Sequence, residues 1–102
     1  MVLIVLAGRS NCPFYAKAEL LADNLAMNLP NFKVHKICKH PSEWDAWLQE
    51  TCLDLGFQHD TSPIIWRELV ERGGAGRLIG DCNDFLEYVE CMFHLDLYKN
   101  ST

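Results

Sequence analysis

The chain has 102 residues, about half of them apolar, and carries a formal charge of −5. That length supports one hydrophobic core and not two. The acidic balance, with no basic stripe anywhere, argues against nucleic-acid binding. The opening run Met1–Ala7 is too short to cross a bilayer and has no basic segment before it, so neither a membrane span nor a secretion signal is expected. Five cysteines at 12, 38, 52, 82 and 91 form no C-x-x-C pair. An odd, irregular set fits reduced thiols and a cytoplasmic or otherwise intracellular domain.

Val2 to Gly8 is an unbroken apolar run that predicts a strand buried on both faces. Arg9-Ser10-Asn11-Cys12-Pro13-Phe14-Tyr15 follows, then a stretch of strong helix formers. The first helix is expected over Pro13 to Asn28, with Pro13 at its first position and a core stripe of Ala18, Leu21, Ala22, Leu25 and Leu29. Cys12 is thereby presented at a strand-to-helix turn. A helix N-terminus and the upstream Arg9 both favour a thiolate there, which makes Cys12 the candidate nucleophile.

Phe32–Cys38 largely alternates apolar and polar residues, predicting a second strand. Pro41-Ser42-Glu43-Trp44-Asp45 reads as a helix start with Ser42 as N-cap and Asp45 completing a capping box. Trp44, Trp47, Leu48, Cys52 and Leu55 form the buried stripe, and Gly56 ends that helix. The tryptophans are read as core, given the area each buries. After Pro63, Ile64-Ile65-Trp66 predicts a third strand, with a helix over Trp66–Arg72 ending at Gly73 as the competitor. Gly73–Gly76 is read as a turn and Arg77–Gly80 as a short return strand. No phosphate-loop or dinucleotide fingerprint is present. The last helix begins around Asp81–Asp84, with Phe85, Leu86, Val89, Met92 and Phe93 facing inward. Residues 1–97 are expected to form one domain and 98–102 a flexible tail leading to a further region.

The resulting order, β-α-β-α-β-β-α, implies an α/β fold, a four-stranded mixed sheet with helices on both faces. With Cys-Pro opening the first helix, it resembles the thioredoxin-like fold and specifically the glutaredoxins. Cys12-Pro13-Phe14-Tyr15 resembles their Cys-Pro-Tyr-Cys site, and Arg9 matches their basic residue three before the cysteine. Ser62-Pro63 resembles the segment whose proline is cis in that family. Leu78–Leu86 resembles the stretch whose helix start holds a glutathione carboxylate. The resemblance implies a glutathione-like groove built from Arg9, Tyr15, Ser62, Pro63, Asp81, Cys82 and Asn83 beside a single active-site cysteine. Glutathione is then the candidate ligand.

Four further phrases, Val-Leu-Ala-Gly-Arg, Cys-Pro-Phe-Tyr-Ala-Lys, Ser-Pro-Ile-Ile-Trp-Arg-Glu-Leu and Arg-Gly-Gly-Ala-Gly, resemble the amino-terminal domain of the malate dehydrogenase 1B family. In that family a dehydrogenase-like, NAD-binding region follows. The resemblance therefore assigns NAD and any dehydrogenase activity to a region absent here, and makes that region the expected docking partner. Two departures from the glutaredoxin pattern stand out. Tyr15 occupies the place of the resolving cysteine, and Asp81 puts negative charge where the second of two glycines would stand. Glu68, Glu71 and Arg72 also lengthen the segment after Pro63.

These departures favour a non-catalytic docking or regulatory module over the alternative, a monothiol, glutathione-dependent thiol–disulfide oxidoreductase using Cys12. A lone thiolate suffices for such exchange when free glutathione resolves the intermediate. Metal binding is not expected. His35 lies on the opposite strand face from Cys38 and His40, no zinc set is complete, and the cluster-binding glutaredoxins carry Cys-Gly-Phe-Ser instead. Cys82 is read as a small buried residue, and a bridge to Cys12 needs Cα atoms within ~7 Å. Cys38, Cys52 and Cys91 are read as structural, and His59 and His94 carry no functional signal.

Overall fold

A computed structural model describes residues 2–68 and 75–93. The expected Gly73-Gly74 turn, the inserted Glu71 and Arg72, His94 and the tail 98–102 lie outside the described residues, as do the side chains of Met92 and Phe93. The elements are β1 (Val2–Arg9), α1 (Pro13–Asn28), β2 (Phe32–Lys39), α2 (Pro41–Leu55), β3 (Ile64–Glu68), β4 (Ala75–Gly80) and α3 (Cys82–Phe93). They build one mixed sheet in the order β2-β1-β3-β4. β1 runs parallel to β2, as the α1 crossover requires, and antiparallel to β3. β3 and β4 form an antiparallel pair.

The sheet divides the core into two layers. Ile4, Leu6 and Ile65 face Ala18, Ala22 and Leu25 of α1 and Phe85 and Val89 of α3. Val5, Ala7, Ile64 and Trp66 face Trp44, Leu48 and Cys52 of α2. β1 contributes to both layers, which is why its apolar run is continuous rather than alternating. Trp44 is 1% exposed and stacks at a tilt on Trp47, 5.3 Å between ring centroids.

The starts of α2 and β4 differ from the sequence expectation. The N-cap of α2 is His40, not Ser42. His40 is extended (φ −61°, ψ 144°) and its Nδ1 accepts the Ser42 N–H at 3.1 Å. Pro41 explains the shift, since it has no N–H to leave unsatisfied and takes the first helical position. β4 starts at Ala75, within the expected turn, because Ala75 pairs with Glu68 across a register shift. The competing helix from Trp66 is not taken up over Ile64–Glu68, because those residues pair with β1 on one side and β4 on the other. Gly56 closes α2 in the left-handed region (φ 73°), as expected. Cys38 and Cys91 are exposed rather than structural, whereas Cys52 is buried. Cys38 lies on edge strand β2, which no further strand covers among the described residues.

Candidate functional site

β1 ends by delivering Cys12 to the start of α1. The turn is fixed by Ser10 N–H to Lys39 O (2.8 Å) and Cys12 N–H to Arg9 O (3.1 Å). Cys12 is the extended N-cap (φ −92°, ψ 118°) and Pro13 opens the helix. Its sulfur lies under the loop before β3, where the thiol donates to Ser62 O at 3.5 Å. The Ser62 hydroxyl oxygen accepts the Arg9 N–H at 3.0 Å, so its own proton is available to the sulfur. Burial pushes the Cys12 thiol up, but the Ser62 side chain, the Tyr15 and Phe14 N–H groups and the Arg9 side chain favour the thiolate. The balance holds Cys12 below the ordinary thiol range. The sulfur is nevertheless hard to reach, with Cys12 only 5% exposed.

Beside it runs a groove of about 240 Å³. Ser62, Pro63, Asp81, Cys82 and Asn83 line it, so five of the seven expected groove residues come together. The Ser62–Pro63 peptide is cis. Phe14 and Thr61 complete the lining and were not anticipated. Phe14, 60% exposed, lies off the buried stripe of α1. That is the signal by which it could have been found.

Arg9 and Tyr15 do not line the groove. The Arg9 residue is exposed beside the cysteine turn. Tyr15 is buried in the α1–α3 core layer. Its ring lies directly on Gly8, where an added Cβ would meet the tyrosine Cβ at 2.7 Å. Burial first, and then Glu19, push the phenol up to about 12. The Tyr15 hydroxyl donates to Glu19 at 3.5 Å.

His59 was not singled out by sequence, yet it braces the groove. Its Nε2 lies 2.9 Å from Pro63 O and 3.2 Å from Thr61 Oγ1. The carbonyl can only accept, so Nε2 carries the proton.

The far wall is the start of α3. Asp84 N–H donates to Asp81 Oδ1 (3.0 Å), and Asp81 N–H donates to Asp84 Oδ2 (3.1 Å). This reciprocal cap satisfies two N–H groups of the helix start with the chain's own carboxylates. Gly80 makes it possible. Its φ of 127° suits glycine, and the Asp84 side chain packs against its Cα where a Cβ would collide. Cys82 sits just inside, buried, and its thiol is pushed up by burial, with Asp81 and Cys12 adding and Lys17 opposing. No disulfide joins it to Cys12. Among the described residues, no three His, Cys, Asp or Glu side chains converge as metal ligands, and no helix is long and apolar enough to cross a membrane.

Comparison with known proteins identifies the fold and the family. The fold is similar to reduced Escherichia coli glutaredoxin, with a TM-score of 0.69 at 22% identity over 91% of this chain and 99% of that one. A second E. coli glutaredoxin structure matches with a TM-score of 0.57 at 21% identity over the same shares. Curated relatives named putative malate dehydrogenase 1B are 57% identical in Branchiostoma floridae, 54% in Bos taurus and 50% in Homo sapiens, each over 93 residues and 91% of this chain. The chain spans about a fifth of their length, 18%, 20% and 18% respectively. The profile of the "Putative malate dehydrogenase 1B N-terminal domain" matches residues 3–102. The chain belongs to that N-terminal domain family, and its fold is glutaredoxin-like.

Proposed function

We propose that this domain is a cytoplasmic accessory module of a malate dehydrogenase-type protein, docking on or regulating a downstream dehydrogenase region rather than catalysing thiol–disulfide exchange. The carrying observation is the start of α3. Two N–H groups of that helix start, those of Asp81 and Asp84, are already taken by the reciprocal cap, and its two carboxylates repel an incoming anion. The buried Cys12 sulfur and the tyrosine at position 15 support the same reading. On this reading NAD belongs to the downstream region, and the placement of Gly76 inside β4 rather than at a helix start supports that.

The test adds the separately expressed downstream region of a relative to the ¹⁵N-labelled chain. Docking predicts saturable amide shifts confined to one face. Their absence, together with glutathione-dependent turnover that Cys12→Ser abolishes, would overturn the proposal.

One observation favours a second reading, the enhanced acidity of the Cys12 thiol. The Cys12 thiolate would attack the glutathionyl sulfur of a mixed disulfide, forming Cys12–glutathione and releasing the substrate thiolate. Free glutathione would then attack that bond, leaving oxidised glutathione and regenerating the Cys12 thiolate. Asp81→Gly separates the readings. It frees the Asp84 N–H and removes one charge, so glutathione exchange should rise in the variant if the cap is what blocks the wild-type groove.

A further inference from the structure

A second and larger cavity lies away from Cys12, between the β3–β4 pair and α3. It measures about 510 Å³, roughly twice the groove volume. Arg67 and Arg77 line it, and they are direct cross-strand partners in the β3–β4 ladder. Both therefore project from the same face with Cβ atoms ~5 Å apart, an arrangement that is unfavourable for like charges unless something offsets it. Among the described residues neither arginine has a carboxylate partner within salt-bridge distance. Arg67 Nη1 donates to the Tyr88 hydroxyl at 3.1 Å, which fixes that guanidinium and leaves its other N–H groups directed elsewhere. Of the two acids on the wall, Asp84 is committed to the α3 cap.

The remaining walls are Leu78, Ile79 and the Tyr88 ring, with Glu87 at the cavity as well. Paired guanidinium forks suit a planar carboxylate. The apolar walls and the volume suit a carbon body attached to it rather than a bare ion. Asp84 and Glu87 bring negative charge to the same cavity without pairing with either arginine, which disfavours a multiply charged phosphate. We infer that this cavity binds a small organic monocarboxylate, held by Arg67 and Arg77 through its carboxylate and by Leu78, Ile79 and Tyr88 through its apolar part.

Cys91 also lines the cavity and is exposed, so it reports occupancy directly. Cys38, exposed on β2 at the opposite edge of the sheet, is the control within the same molecule. The experiment measures iodoacetamide labelling of each cysteine by peptide mass spectrometry on the 102-residue chain, with benzoate as the probe. The expected result is saturable protection of Cys91 by benzoate, no protection of Cys38, and at least a tenfold loss of apparent affinity in Arg77→Gln. Arg77 is exposed and unpaired by any described acid, so the variant should fold, and its far-ultraviolet circular dichroism checks this. Amide shifts of Ile79 and Tyr88 in a ¹⁵N spectrum give a second readout that does not depend on the thiol. Protection absent or equal at both cysteines, protection unchanged in Arg77→Gln, or equal protection by inorganic phosphate would each overturn the assignment.

Discussion

Gly8→Ala tests the packing that places the cysteine turn. Gly8 lies in central strand β1, paired with Cys38 of β2, and is roofed by the Tyr15 ring. A methyl group there would lie 2.7 Å from Tyr15 Cβ and closer still to the ring. The obstruction includes the root of the side chain, so rotation about χ1 cannot clear it and the first turn of α1 must move. Overpacking of this kind costs ~1–3 kcal/mol. Removing a glycine from a strand returns roughly 0.5–1 kcal/mol through the unfolded chain. The rigid contact puts the net loss near ~2 kcal/mol, which for a domain of this size lowers Tm by about 8–16 °C. Urea unfolding followed by tryptophan fluorescence measures it. Tyr15→Ala alone removes a buried ring and is also destabilising, but the double variant should be less destabilised than the sum, because the ring part of the clash is gone and only the contact with the residue-15 Cβ remains. A Gly8→Ala protein as stable as the parent, or strict additivity in the cycle, would refute the reasoning.

Other outcomes follow from the same contacts. Cys12 is held below the ordinary thiol range, so its alkylation midpoint should fall under the free-thiol value of ~8.5 even though burial slows the absolute rate. Ser62→Ala should cut that rate near pH 7 by about tenfold, since a hydrogen bond to a charged group is worth ~1.5 kcal/mol or more. An unchanged rate would remove Ser62 from the account. Because the folded thiol is the stronger acid, Cys12 contributes stability above its unfolded value, and this is lost as pH falls through the lowered folded value. Tyr15 has the opposite sign. Its phenol is raised to about 12, so its contribution is complete below the unfolded value of ~10 and is lost as pH rises towards 12. Ultraviolet titration should show one tyrosine ionising late, together with unfolding, and early ionisation of all three would contradict the buried placement. Finally, His40→Ala should cost about 1 kcal/mol in urea by uncapping α2, and His40→Asn should restore most of it. Equal losses in the two variants would show that the cap is not the cause.

Much of this molecule was legible from local chemistry. The continuous apolar run before Gly8, the Cys12-Pro13 helix start, the limits Pro13–Asn28 and the Gly56 stop are each set by residues adjacent in sequence. The sheet class follows too, since β-α-β spacing forces a parallel pair and a short apolar return allows an antiparallel one. Features that depend on residues far apart were not legible. Tyr15 carries a polar group beside the cysteine and was expected at the groove, yet α1 turns it inward because Gly8, seven residues earlier, leaves room for its ring. His59 beneath Pro63 and the Arg67–Arg77 pairing depend on tertiary placement in the same way. The Asp81–Asp84 cap does not, since its i, i+3 spacing is a capping-box signal carried by the local sequence. Local sequence set the elements because propensity and capping act within a turn or two of chain. Only the tertiary structure decided which side chains share a cavity, because that depends on register and on the space left by residues on other elements.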